Sequence, residues 1–199
     1  MFGGVKIPPT YLTTKLNFKD MACNLSAGRN EVCKESIGGI QGVYFVNYTT
    51  GSFTKNGSGE VTAVPSGSVL YYYQLKGTSA YTETVNSSRE NGTTFFSQEL
   101  VLNLKKLTNE MTTQLKLMAY GRPQIIVWTN NGDALLVGEK LGADVTAGTI
   151  QTGGALGDLY GYSVTFTGME QLPAAFLSGS STTNALGGLT SNYTVVYGS

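Results

Sequence analysis

The sequence predicts a mainly β fold, a two-sheet β-sandwich or partial barrel with one short flanking α-helix. Three observations predict it. Apolar and polar residues alternate from Thr93 to Lys106 and again from Tyr160 to Gln171, the period-two signature of a strand with one buried face. Glycine supplies 26 of 199 residues and only 13% are charged, while Ser, Thr, Asn and Tyr are plentiful, which is the composition of a turn-rich β protein with a neutral polar surface. Helical spacing marks one short stretch, Met111, Leu115 and Met118. A chain of this length suits a single domain with a sizeable core.

Residues 1–20 contain Pro8-Pro9 and no continuous apolar run, so they fail as a secretory signal peptide. Val5, Ile7, Tyr11, Leu12, Leu16 and Phe18 give them something to dock with, and they read as an N-terminal extension or arm ahead of a single domain over residues 21–199. Ile40 to Tyr48 reads as a strand, Thr49 to Gly59 as a loop, and Val69 to Leu75 and Tyr81 to Val85 as further strands. Within Tyr71-Tyr72-Tyr73 the outer two rings share a face and Tyr72 takes the other, so the spacing predicts at least one exposed ring.

The long run from Thr93 places Phe96, Leu100, Leu102 and Leu104 on one face and Ser97, Glu99, Asn103 and Lys105 on the other. Gln98 falls on the apolar face and Phe95 and Val101 on the polar one, an imperfection that suggests a bulge or a partly covered second face. At the usual rise its fourteen residues span roughly 46 Å, long for a strand, so it either crosses a large sheet or continues past its own subunit. Thr108 or Asn109 then caps a helix with Glu110 in its first turn, and Gly121 and Pro123 end it. Gln124 to Trp128 and Ala134 to Glu139 bracket Asn130-Asn131-Gly132-Asp133 as a hairpin. A glycine-rich stretch from Leu141 to Gly157 holds a short strand near Asp144 to Ile150. The closing strand sets Tyr162, Val164 and Phe166 opposite Ser163, Thr165 and Thr167. Beyond Pro173, Ser178 to Thr183 reads as a loop or linker before a last strand, Tyr193 to Tyr197. The predicted core is therefore Phe96, Leu100, Leu102, Leu104, Met111, Leu115, Met118, Val164 and Phe166.

Catalytic chemistry finds little support. With no histidine, Ser-His-Asp and Cys-His devices are excluded and the commonest metal ligand is missing. Cys23 and Cys33 have nine residues between them, which fits neither a redox pair nor half a zinc site, and two unrelated thiols are preferred to a disulfide. Asp133, Glu139 and Asp144 are the acidic residues considered for calcium or acid catalysis, but they flank turns where carboxylates are ordinarily solvated. Gly153-Gly154 and Gly157 lack the following helix that a phosphate loop needs. Six Asn-x-Ser/Thr triplets follow from the composition. No apolar run is long enough to span a bilayer as a helix. The 13 basic and 13 acidic residues cancel, which argues against tight nonspecific binding to nucleic acid. No catalytic, cofactor-binding or metal residue is assigned, no cofactor is expected, and the chain does not read as an enzyme.

The order of long strand, capped helix, hairpin and glycine-rich loop leads into a closing Gly161-Tyr162-Ser163-Val164-Thr165-Phe166-Thr167-Gly168-Met169-Glu170. This order resembles the tail tube proteins of tailed bacteriophages. Gly28-Arg29-Asn30-Glu31-Val32-Cys33-Lys34-Glu35-Ser36-Ile37-Gly38-Gly39-Ile40, running into Val43-Tyr44-Phe45-Val46, is similar to the N-terminal region of some phage virion proteins of that kind. The resemblance implies a structural virion protein of the tail, made in the host bacterial cytoplasm, that forms hexameric rings stacked into a hollow tube. Its implied partners are copies of itself and other virion tail proteins, with DNA only in transit through the lumen and no membrane. Ser97, Glu99, Asn103 and Lys105 become candidates for the lumen or the outer wall. Two other readings stand beside it. One is a neck or tail terminator ring component on the same fold; the other is a carbohydrate-binding or adhesive β-sandwich, in which Trp128 and the tyrosines stack on sugar rings.

Overall fold

The computed structural model describes residues 27–30 and 34–198. The chain separates into two units, Met1–Glu35 and Ser36–Ser199, and the architecture below is that of the second. The expected arm over residues 1–20, the domain start near Met21, and both cysteines lie outside the described residues. In chain order the elements begin with β1 (Ile40–Val46), β2 (Thr54–Lys55), β3 (Val61–Ala63), β4 (Ser68–Gln74), β5 (Ala80–Ser88) and β6 (Thr93–Lys105). They continue with α1 (Asn109–Tyr120), β7 (Gln124–Thr129), β8 (Ala134–Val137), β9 (Ala143–Gln151), β10 (Gly161–Glu170), β11 (Ala175–Phe176) and β12 (Tyr193–Tyr197).

The fold is mainly β, with a sandwich-like arrangement and one short helix. A first sheet runs β11-β8-β7-β1-β4-β12, a second runs β5-β6-β10-β9, and β2 pairs with β3 apart from both. Alternation decides how they pack. Val43, Phe45, Ile125 and Val127 leave one face of the first sheet and meet Leu100, Leu102, Val164 and Phe166 from the second in one buried cluster. Phe45 and Phe166 stand 5.3 Å apart, centroid to centroid, across that layer. The opposite face of the first sheet, with Tyr44, Val46, Leu70, Ile126, Trp128 and Leu136, is buried too, under Phe53, Val61, Val64, Leu177, Ala185 and Leu186. Thus the stretch that reads as a loop or linker around Ser178 to Thr183 closes a second core, and the Trp128 indole donates to the Ser181 carbonyl at 2.9 Å.

The helix begins where its cap predicts. The Thr108 hydroxyl accepts from the Met111 amide, and Glu110 occupies the first turn. Met111, Leu115 and Met118 lie half-buried against the inter-sheet core, while no helical residue is fully buried. Gly121 does not act as a left-handed cap: its backbone is extended (φ −98°, ψ 176°) and its N–H returns to the Leu117 carbonyl. The stop falls to Pro123, which cannot donate to the helix. By contrast Gly132 has φ 98°, as the hairpin between β7 and β8 requires.

Leu100, Leu102, Val164 and Phe166 are fully enclosed, whereas Phe96 and Leu104 toward the ends of β6 are half-buried. No bulge accommodates Gln98, since β6 pairs without register shift to both β5 and β10; the one shift in this sheet lies between β10 and β9. Gln98, only 1% exposed, is instead a polar clamp. Its Nε2 donates to Glu83 Oε1 at 3.0 Å, and its Oε1 accepts from the Gly138 amide at 2.9 Å, tying the second sheet to the end of β8. Glu83 Oε1 also accepts from the Ala174 amide. Truncating one partner of such a buried set costs more than the bond itself, because the others remain desolvated.

Two stability results follow. Gln98→Ala is expected to lower unfolding free energy by about 1–3 kcal/mol in a urea titration. Leu102→Asp is expected to cost more than the ~2–5 kcal/mol of a Leu-to-Ala truncation and to abolish the cooperative melt, while Glu99→Ala on the opposite face stays within about 0.5 kcal/mol. Equal melting of the Leu102 and Glu99 variants by circular dichroism would reverse the face assignment.

Candidate assembly surface

The outer face of the second sheet is a polar surface that the topology organises. Ser97, Glu99, Asn103 and Lys105 share it, because they alternate with the buried residues of β6. Register extends the face across the neighbours. Thr82 of β5, Glu99 of β6 and Thr167 of β10 stand side by side; so do Thr84, Ser97 and Met169, and Asn103, Ser163 and Thr149. Where β9 carries its bulge, the Thr146 and Thr167 hydroxyls lie 2.9 Å apart. Charge is sparse here: Glu99 and Asp144 against Lys105. Phe95, Val101 and Met169 interrupt the polar pattern.

The four candidates differ in availability. Glu99 and Lys105 are exposed, and Ser97 and Asn103 are half-buried. Asn103 is already committed, since its Nδ2 donates to the Thr78 carbonyl at 2.7 Å and its amide donates to the Ser79 hydroxyl, holding the turn before β5. The contribution of β5 and β9 escaped sequence reasoning. The alternation of Thr82 and Thr84 was readable inside the expected strand, but register alone shows that they align with Glu99 and Ser97.

The two edges matter as much as the face. β5 and β9 end the sheet on either side, each nine residues long. On the inward side of these strands Val85 is 60% exposed and Ile150 56% exposed, and neither belongs to the inter-sheet cluster. Among the described residues, unpaired backbone and exposed apolar residues therefore coincide at both margins, the combination that invites strand addition.

Other sequence candidates disperse. Asp133 sits in the hairpin turn, Glu139 pairs with Lys55 at 2.6 Å, and Asp144 lies exposed on β9. Among the described residues no three His, Cys, Asp or Glu side chains gather as a metal site. Trp128, 6% exposed with its N–H occupied, offers no ring to a sugar. Tyr72 packs on Tyr44 and Tyr73 on Phe45, leaving Tyr71 as the exposed ring of the three. No described helix is long and apolar enough to cross a membrane.

The loop over residues 152–160 is organised by Asp158, whose Oδ2 accepts from the Gly154 and Ala155 amides at 2.8 and 2.7 Å. Leu156 stands fully exposed at its tip. No protein-family model matches the chain, and no curated protein or solved structure matches it.

The Ala155 and Gly154 amides hold the Asp158 carboxyl below its ordinary pKa. A depressed carboxylate pKa favours the ordered loop above the ordinary range, and that preference fades as pH falls through the lowered value. Asp158→Ala is therefore expected to speed amide exchange at Gly154 and Ala155 at neutral pH, with the global melting temperature unchanged. Acidification of the native protein should reproduce the effect locally. Protection that survives both changes would show that the carboxylate does not order the loop.

Proposed function

We propose that the chain is a structural virion protein of the tail tube type, whose copies join edge to edge into hexameric rings and stack into a hollow tube for DNA. The reading rests on strand direction. β5 is antiparallel to β6, β6 to β10 and β10 to β9, so an even number of strands leaves the two edges running in opposite directions. The β9 edge of one copy can then pair with the β5 edge of the next and continue the antiparallel alternation without a break. Such a head-to-tail contact is heterologous, and it closes into a ring when its rotation permits.

Stagger supports closure. Along β6, β5 pairs with Thr93 to Val101, while β10 pairs with Phe96 to Lys105, and β9 is displaced further the same way along β10. A consistent shear is what a closed, tilted barrel needs. Six copies with four strands each give a wall of roughly 24 strands, beyond the 16 to 18 at which closed barrels already enclose a water channel. The outer face would line that channel with hydroxyls and few charges, which suits transit rather than retention of a polyanion. The location is then the virion tail, the synthesis site the cytoplasm of the host bacterium, and the partners further copies and other tail proteins.

Negative-stain electron microscopy of concentrated protein tests the reading: stacked rings with a central hole are expected. Isolated rings would favour a neck or terminator component, and uniform monomers would overturn ring assembly. Val85→Lys and Ile150→Lys place charges on exposed edge positions, so each is expected to leave the melting temperature within a few degrees and abolish assembly. Assembly that persists in both variants would show that the interface lies elsewhere.

A further inference from the structure

We propose that the groove at the end of β6 binds a nucleoside phosphate, either free or as a unit of a nucleic-acid strand. The groove is about 390 Å³, within the range of small-molecule sites. Its floor is Tyr73, Leu104 and Met111, all half-buried, and its rim carries Lys76, Lys105 and Lys106, all exposed. An apolar floor beneath cations suits a base or ribose attached to phosphate better than a bare anion. The assignment does not require ring assembly, although Lys105 and Asn103 of the lining also stand on the outer face of the second sheet.

The charge is a local excess in a balanced chain. Acidic and basic residues number 13 each, yet three lysines converge here. Among the described residues the ion pair is Lys55 with Glu139, and none of the three rim lysines has a carboxylate within 4.0 Å. Glu110, in the first turn of α1, is the acid felt at Tyr73, where burial and then that charge raise the hydroxyl pKa. One carboxylate against three ammonium groups leaves the rim positive.

Backbone geometry shows the lysines held in place. Lys106 has φ 73°, a left-handed conformation that favours glycine, and its amide donates to the Tyr160 carbonyl at 2.7 Å. At Gly77 an added Cβ would sit 3.5 Å from the Lys105 Cε and Nζ, so that ammonium lies over the turn carrying Lys76. The Lys105 ammonium therefore lies beside the turn that carries Lys76, and Lys106 occupies a backbone conformation that disfavours a lysine.

Isothermal titration of the full chain with adenosine triphosphate, inorganic phosphate and a short oligothymidylate tests this. The nucleotide or the oligomer is expected to bind more tightly than inorganic phosphate. The double change Lys76→Gln with Lys105→Gln should weaken that binding at least tenfold. Lys106→Gly should weaken it severalfold while holding or raising the melting temperature, a pairing that a merely structural lysine would not give. Tighter binding of the nucleotide identifies a free ligand. Tighter binding of the oligomer, with a log–log salt slope of about −2 that shrinks by about 0.7 per lysine removed, identifies a strand. The proposal is overturned if none of the three ligands saturates the protein at millimolar concentration or if the variants bind like the native chain. Equal binding of inorganic phosphate, or equally tight binding of a polyglutamate peptide, overturns it as well.

Discussion

Everything in this fold depends on a difference between its two larger sheets: among the described residues the first is covered on both faces and the second on only one. The first sheet carries apolar residues on successive positions, as in Val43-Tyr44-Phe45-Val46 and Ile125-Ile126-Val127-Trp128, so exposing either side would leave a large apolar surface in water. One side takes the second sheet. The other takes β2, β3 and the chain from Leu177 to Leu186, which explains why segments rich in glycine and serine are tied down by bonds such as Ser178 N–H to the Val61 carbonyl. Among the described residues nothing comparable covers the outer face of the second sheet, where polar positions outnumber the apolar Phe95, Val101 and Met169.

That asymmetry was half legible in the sequence. β6 and β10 alternate strictly enough that their core residues can be assigned by counting, and the thirteen residues observed in β6 fall inside the expected strand. The cap at Thr108 and the turn at Gly132 follow from side-chain chemistry within a few residues, which is why they were readable. β2, β3 and β11 were not, because strands of two or three residues have no period to detect. The second core under Leu177 and Leu186 was hidden for another reason: these residues follow β7 and β8 by tens of residues and β1 and β4 by still more, and polar composition masks the few apolar anchors.

Gln98 marks the limit of pattern reading. On the apolar face it looks like an error in the alternation, and a bulge is the natural explanation when only neighbours in sequence are visible. Its partners come from β5 and the end of β8, and they turn the exception into a link between sheets. Glu83 follows the same logic, pointing inward from an edge strand with its charge spent on Gln98 and the Ala174 amide. The candidate surface was legible as residues and illegible as a surface, since register sets which threonines stand beside Glu99.

The edge strands also carry a thermodynamic consequence. Among the described residues β5 and β9 each have one sheet neighbour, and their inward residues Val85 and Ile150 are exposed. Local opening is favoured where a strand has one set of ladder bonds and little buried apolar area, so these two strands belong to the low-stability end of the domain. In a ring of the proposed kind both deficits shrink at one contact, because pairing β9 with β5 supplies the second ladder and sets a neighbouring strand beside both apolar residues. Assembly would then stabilise the subunit as well as position it, and the ladder bonds would be directional while the apolar contact is not. The bond between the half-buried Glu83 and the buried Gln98 holds β5 on its inner side. The strand is thus placed without being closed, which is the condition an edge must meet to accept a neighbour in one register.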